Sequence, residues 1–152
     1  MGISIHYRGK LKNLTDIDLL VDDFKDFAEI MGWEYRILNE DWSKTNTAKI
    51  KASEQITEIK GHLPLKGINL SLHPDCEALD LYFNPDGNLL SPISACLINE
   101  GEMDIEDSWV FVKTQYAPPD IHIAVVNLLD FLKNKYVPDL EVLDEGEYWE
   151  TR

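Results

Sequence analysis

Apolar and polar positions along this chain follow two periods, and the switches between them mark its elements. Ile3, Ile5 and Tyr7 alternate with Ser4, His6 and Arg8, which predicts a strand with one apolar and one polar face. After Gly9 and a polar connection, Ile17, Leu20, Val21, Phe24, Phe27, Ala28 and Met31 recur at helical spacing, with acids between them. Thr15, three residues before Asp18, resembles a capping box with Asp where Glu or Gln is usual. Gly32 is the expected helix stop, and Trp33 to Leu38 the next strand.

Alternation returns at Ile68, Leu70 and Leu72, and again at Leu79, Leu81 and Phe83 after a turn at Pro74-Asp75. Asn84-Pro-Asp-Gly87 predicts a second turn, with Pro preset for its second position and Gly tolerating a positive φ. Leu89 and Leu90 then begin a short returning strand. A last alternating run, Val110, Val112 and Thr114, leads through Pro118-Pro119-Asp120 into a helix reaching about Tyr136. Its stripe is Ile121, Val125, Leu128, Leu129 and Leu132, and a strand around Leu140 to Leu143 follows.

Two stretches carry no decisive period. Asn39 to Lys66 is polar, with Ile50, Ile56 and Ile59 as apolar anchors. A structureless connection of that length is unusual in a compact domain, so a short helix around Ser53 to Ile59, or a mobile excursion, is expected. Pro92 to Asn99 reads equally as strand or helix.

The stretch 108–150 repeats the order of 2–42: strand, helix start signal, helix, strand. A shift of 104 lays Asp120 on Asp16, Val125 on Val21, Asp130 on Asp26 and Phe131 on Phe27. With one inserted residue, Val142-Leu-Asp-Glu145 lies over Ile37-Leu-Asn-Glu40, and Trp149 and Trp42 follow. The match points to a duplicated, or at least pseudo-symmetric, β-α-β unit. Two such halves, joined by a loop-rich region and a central hairpin, predict one domain over 1–152. Its expected class is α+β, a mostly antiparallel sheet with two helices on one face, ferredoxin-like or related.

Helices on one face leave the other open. That face would display His6, Arg8, His73, Asp80, Tyr82, Lys113 and Gln115, with Trp109 and Phe111 among them. Aromatics amid polar groups mark a surface that a ligand, a partner or a second subunit covers. The competing expectation is that the long middle region folds over it as packing.

Charge narrows the partners. Fourteen Lys and Arg against 28 Asp and Glu give a formal net charge of −14, which argues against nucleic acid and anionic membranes. No apolar run approaches the ~18 residues of a membrane span, and the start lacks the basic and apolar regions of a secretory signal. The two cysteines, Cys76 and Cys96, are too few for a disulfide scaffold. A cytoplasmic location is expected.

Candidate chemistry is sparse. His73-Pro-Asp-Cys76-Glu77 gathers an imidazole, a thiol and carboxylates, and with a further ligand such as His6 or His62 would suit zinc or another divalent metal. The competing reading is a turn with an incidental Cys. Asp75 and Glu77 raise the thiol's pKa and disfavour Cys76 as a nucleophile. The acids of Glu100 to Asp107 lack EF-hand spacing. His122 stands near a helix start, where the dipole disfavours the imidazolium, so it reads as a surface or partly packed histidine. There is no Gly-rich phosphate loop, Gly-x-Ser-x-Gly, His-Glu-x-x-His or Cys-x-x-Cys, and no cofactor is predicted. The ending Asp144-Glu-Gly-Glu-Tyr-Trp-Glu150 reads as a docking tail or, preferably, as Trp packing on a sheet edge.

The Val112-Lys-Thr-Gln-Tyr116 run and the Asp-Glu-Gly-Glu-Tyr-Trp-Glu ending resemble a family of small bacterial proteins of no known activity. The resemblance covers the last quarter of the chain and implies no site. The expected function is therefore a non-catalytic interaction or ligand-binding module, with a homodimer through the open face. The alternative is a small metal protein or metal-dependent enzyme using His73 and Cys76.

Overall fold

The computed structural model describes residues 3–52 and 55–151. Their elements begin with β1 (Ser4–Arg8), α1 (Ile17–Met31), β2 (Glu34–Asn39), β3 (Lys49–Ala52), β4 (Thr57–Lys60), β5 (Lys66–Ser71) and β6 (Leu79–Phe83). They continue with α2 (Pro92–Asn99), β7 (Val110–Lys113), α3 (Pro119–Lys135), β8 (Glu141–Asp144) and α4 (Tyr148–Thr151). The class is α+β, and every strand pairing is antiparallel.

The strands form three hydrogen-bonded sets, β7-β1-β8, β2-β5-β6 and the hairpin β3-β4. In the first, His6 stands between Phe111 and Leu143, and Ile5 between Val112 and Asp144. Between the first two sets a few specific bonds replace a ladder. Glu77 receives the Lys113 amide on Oε1 at 2.9 Å, and its own amide donates to the Lys113 carbonyl at 3.1 Å. The buried Tyr7 phenol donates to the Asp80 carbonyl at 2.7 Å, satisfying a backbone acceptor of β6.

Period two puts Ile5, Tyr7, Val110, Val112, Ile68, Leu70, Leu79 and Leu81 into one apolar layer, on which α1 and α3 lie. The helices meet through aromatic edges: Phe24–Phe131 centroids are 5.6 Å apart at 83°, and Phe27–Phe131 4.9 Å at 84°. Phe27 and Phe131 are the pair that the 104-residue shift superposes. Their strands differ in pairing: β8 lies beside β1, whereas β2 lies beside β5.

Local signals act unevenly. Gly32 ends α1 with φ +74°, a left-handed conformation cheap for glycine. The start of α1 differs from the capping-box expectation: the chain enters through a 3-10 turn, Leu14–Asp16, without a side-chain cap bond. Pro92 to Asn99 is a helix because Ser91 caps it, its Oγ accepting the Ser94 amide at 3.2 Å, with Pro92 in the first turn.

The middle region is a hairpin. Ile50 faces Ile59 across β3-β4, so these anchors obey period two. Thr57 to Ile59 lie in β4 and not in a helix, while Ser53 and Glu54 fall outside the described residues. Leu65, Tyr82, Leu90 and Ala95 form a second cluster, with Leu38, Leu63 and Ile98 packed against it. Here the middle region and α2 cover a sheet face as packing. No helix among the described residues is long and apolar enough to cross a membrane.

Candidate functional site

The seven residues predicted for the open face do not form one surface: three share it, two belong to β6, His73 closes a turn and Gln115 lines a cavity. His6, Arg8 and Lys113 lie on the outer side of β7-β1-β8, and Gln115 follows β7. His6 Nε2 is 3.3 Å from Glu145 Oε1, and its ring centroid is 5.9 Å from that of Phe111. Phe111 and Leu143, on either side of it, are each 56% exposed. Arg8 stacks 4.2 Å over the Trp109 ring and donates to the Glu106 carbonyl and Glu141. Lys113 Nζ lies 5.7 Å from the Tyr116 ring centroid.

Asp80 and Tyr82 belong to β6 and do not join that group. Asp80 accepts from Asn69 at 2.5 Å; burial raises its carboxyl pKa, the Asn69 bond opposes this, and Glu77 adds to the rise. Tyr82 is buried in the second cluster, and burial pushes its phenol up to about 12. This corrects its placement on an open face, because α2 and Leu65 cover it.

His73 accepts the Asp75 amide on Nδ1 at 3.0 Å, closing the turn. The Cys76 thiol points to the Glu77 carbonyl at 3.1 Å, and burial followed by Glu77 pushes it up to about 11. The proposed extra ligands are engaged elsewhere, His6 with Glu145 and His62 Nε2 with the Asp41 carbonyl at 2.8 Å. Among the described residues, no group of three or more His, Cys, Asp or Glu is placed to hold a metal ion.

The inner face of β7-β1-β8 carries a different arrangement. Thr114 and Asp144 share the inward parity of Val112 and Val142, so both side chains turn toward α3. From its first turns, His122 reaches across β1 to both. His122 Nδ1 lies 2.5 Å from Thr114 Oγ1, and Nε2 lies 2.9 Å and 3.1 Å from the Asp144 carboxylate oxygens. The Asp144 side chain is fully buried and that of His122 is 13% exposed. Asp144 also accepts the Gly146 amide at 2.8 Å and the Trp149 amide at 3.0 Å, so the turn into α4 wraps its carboxylate in donors.

These bonds fix the tautomer. A carboxylate only accepts, so His122 Nε2 carries the proton toward Asp144. In the neutral ring Nδ1 is then an acceptor, and the Thr114 hydroxyl donates to it. Gly146 makes room for this geometry: a Cβ there would lie 3.1 Å from His122 Nε2 and 3.2 Å from Asp144 Oδ1.

A cavity of about 320 Å³ opens on the same group. Its lining combines Thr114, Gln115, His122 and Gly146 with Ile3, Ala117, Pro119, Ile123 and Tyr148. Gln115 is fixed by accepting the Ile3 amide on Oε1 at 3.1 Å, which leaves its NH2 as a donor. An oriented hydroxyl, an imidazole and an amide in a largely apolar cavity can bind a small neutral molecule and handle its proton. Sequence reading saw the members separately and missed the group. The ending behaves as the packing reading expects: Tyr148 and Trp149 pack on the main core, as does Trp42, whose indole donates to the Phe83 carbonyl at 3.1 Å. Compared with known protein families, curated proteins and solved structures, the chain has no significant match.

Proposed function

We propose that this protein binds a small, uncharged, largely apolar molecule in the cavity between β7, the start of α3 and the turn after β8. One observation carries the reading: the Asp144–His122–Thr114 chain of hydrogen bonds presents Thr114 and His122 to a cavity otherwise lined mostly by apolar residues. A half-buried imidazole with both nitrogens engaged is oriented before any ligand arrives, which lowers the cost of binding. Among the described residues, no Lys, Arg, Asp or Glu lines the cavity, which favours a neutral ligand. Two free thiols support a reducing, cytoplasmic setting.

The test is a screen of short-chain alcohols, ketones and amides by amide chemical-shift perturbation. Binding should move Gly146, Ile123 and Gln115, and Ile123→Trp should abolish it by filling the cavity. A second, apolar groove lies between α1 and α3, lined by Ile30, Met31 and Phe131 among others; shifts confined to it, or no shifts at all, would contradict the reading.

A second reading has its own observation, the exposure of Phe111 and Leu143 around His6. This face supports homodimer formation. A two-fold axis along β1 would set Phe111 against Leu143 of the partner subunit, and Lys113 against Glu145 of the partner subunit. Sedimentation equilibrium should show a dimer that Phe111→Glu dissociates; a wild-type monomer at all concentrations would dismiss it.

A further inference from the structure

We propose that the cavity is an acyl-transfer site, with Thr114 Oγ1 as nucleophile and His122 as its general base. Its substrate class is small uncharged carboxylic esters with an apolar acyl chain. The inference rests on the ligand-binding reading and adds chemistry to it.

Three features carry it. First, the 2.5 Å separation of Thr114 Oγ1 and His122 Nδ1 is within direct proton-transfer range, and Asp144 holds the tautomer in which Nδ1 accepts. The roles are those of a hydroxyl–imidazole–carboxylate triad, with the two ring nitrogens exchanged relative to the serine-protease arrangement. Second, Thr114 lines the cavity while being almost fully buried, so its hydroxyl is shielded from bulk water beside the space a ligand would occupy. Third, Gln115 lines the same cavity with its amide oxygen already bonded to Ile3. Its NH2 is left to donate to a carbonyl oxygen as negative charge develops.

The chemistry balances without an oxidant. Thr114 Oγ1 forms a bond to the ester carbonyl carbon, the carbonyl π pair moves to oxygen, and the hydroxyl proton passes to His122 Nδ1. Asp144, a positioning residue, faces the resulting imidazolium through Nε2–H. The tetrahedral oxygen then re-forms the C=O bond, the ester C–O bond breaks, and the leaving alkoxide takes the proton from Nδ1. Water repeats both steps on the acyl-threonine, giving the carboxylic acid and restoring the hydroxyl.

The experiment uses the full chain, an alkyl fluorophosphonate followed by peptide mapping, and p-nitrophenyl butyrate turnover. The expected result is a single adduct on Thr114, absent in Thr114→Val and retained in Thr114→Ser. His122→Ala should lower the labelling rate by about 100-fold or more. Thermal melts establish that each variant is folded; if Thr114→Val is not, the site mapped in the wild type and in Thr114→Ser decides. An adduct elsewhere, or neither adduct nor turnover in the wild type, overturns the proposal. If labelling fails while a short-chain ketone still perturbs Gly146 and Ile123, acyl transfer falls and ligand binding stands. If both fail, both readings fall.

Discussion

Replacing Asp144 by Asn tests the hydrogen-bonded group on which the cavity depends. The carboxylate is fully buried and accepts from His122 Nε2, the Gly146 amide and the Trp149 amide. Asn keeps the shape and one oxygen, but places an NH2 against N–H donors. Hydrogen bonds to a charged group contribute about 1.5–3 kcal/mol each, and a lost acceptor leaves its donors buried. Losing the equivalent of one or two, with partial relaxation, gives a destabilisation of about 3 kcal/mol. For a chain of this size that lowers Tm by roughly 6–12 °C. Urea unfolding followed by fluorescence and circular dichroism measures it. Because Thr114 and Asp144 act through one imidazole, Asp144→Asn and Thr114→Val should be non-additive by about 0.5 kcal/mol or more. An Asp144→Asn protein within about 0.5 kcal/mol of wild type, the range of an ordinary surface change, would refute the reasoning.

Three further outcomes are expected. Gly146→Ala brings a methyl to 3.1 Å from His122 Nε2, so it should cost about 1 kcal/mol and weaken ligand shifts at the cavity, read by melts and by the same screen. Iodoacetamide should modify Cys76 slowly at neutral pH, the rate rising toward an apparent pKa of about 11; Glu77→Gln should move that value down, and a profile centred at or below 9 would contradict it. Lys135 and Tyr136 bind Asp23 between α3 and α1; burial raises the Asp23 carboxyl, yet these bonds outweigh it and hold it below its ordinary 3.8. This stabilisation is complete above the unfolded value and lost as pH falls through the folded one, so urea midpoints of wild type and Asp23→Asn should converge well below pH 3.8.

Much of the scaffold was legible because its elements are long or strictly periodic. The α1 and α3 stripes, the β5-β6 pair and β1 each repeat one spacing several times. The β3-β4 hairpin was not, since four-residue strands with one Ile each show too little pattern against their lysines. Parts of the site were visible in parity. Thr114 follows Val110 and Val112, and Asp144 follows Leu140 and Val142, each placing a polar group where another apolar residue was due. His122 stands three residues before Val125, on the buried side of α3. What joins them is topology: β7 and β8 flank β1, and no local pattern announces that pairing. Reading His122 against its own helix dipole also left out the carboxylate that reaches it from across β1. The same 104-residue shift puts Asp18 opposite His122, and the exit alignment puts Asn39 opposite Asp144, so the first half carries no such group.

The most direct test of the account is the protonation pattern of the His122 ring by long-range proton–nitrogen correlation of the imidazole at mildly alkaline pH. In the neutral ring, Nε2 should carry the proton and Nδ1 should show the shift of a hydrogen-bond acceptor that changes in Thr114→Val. A proton on Nδ1, or a pattern averaged between tautomers as in free histidine, would contradict the account.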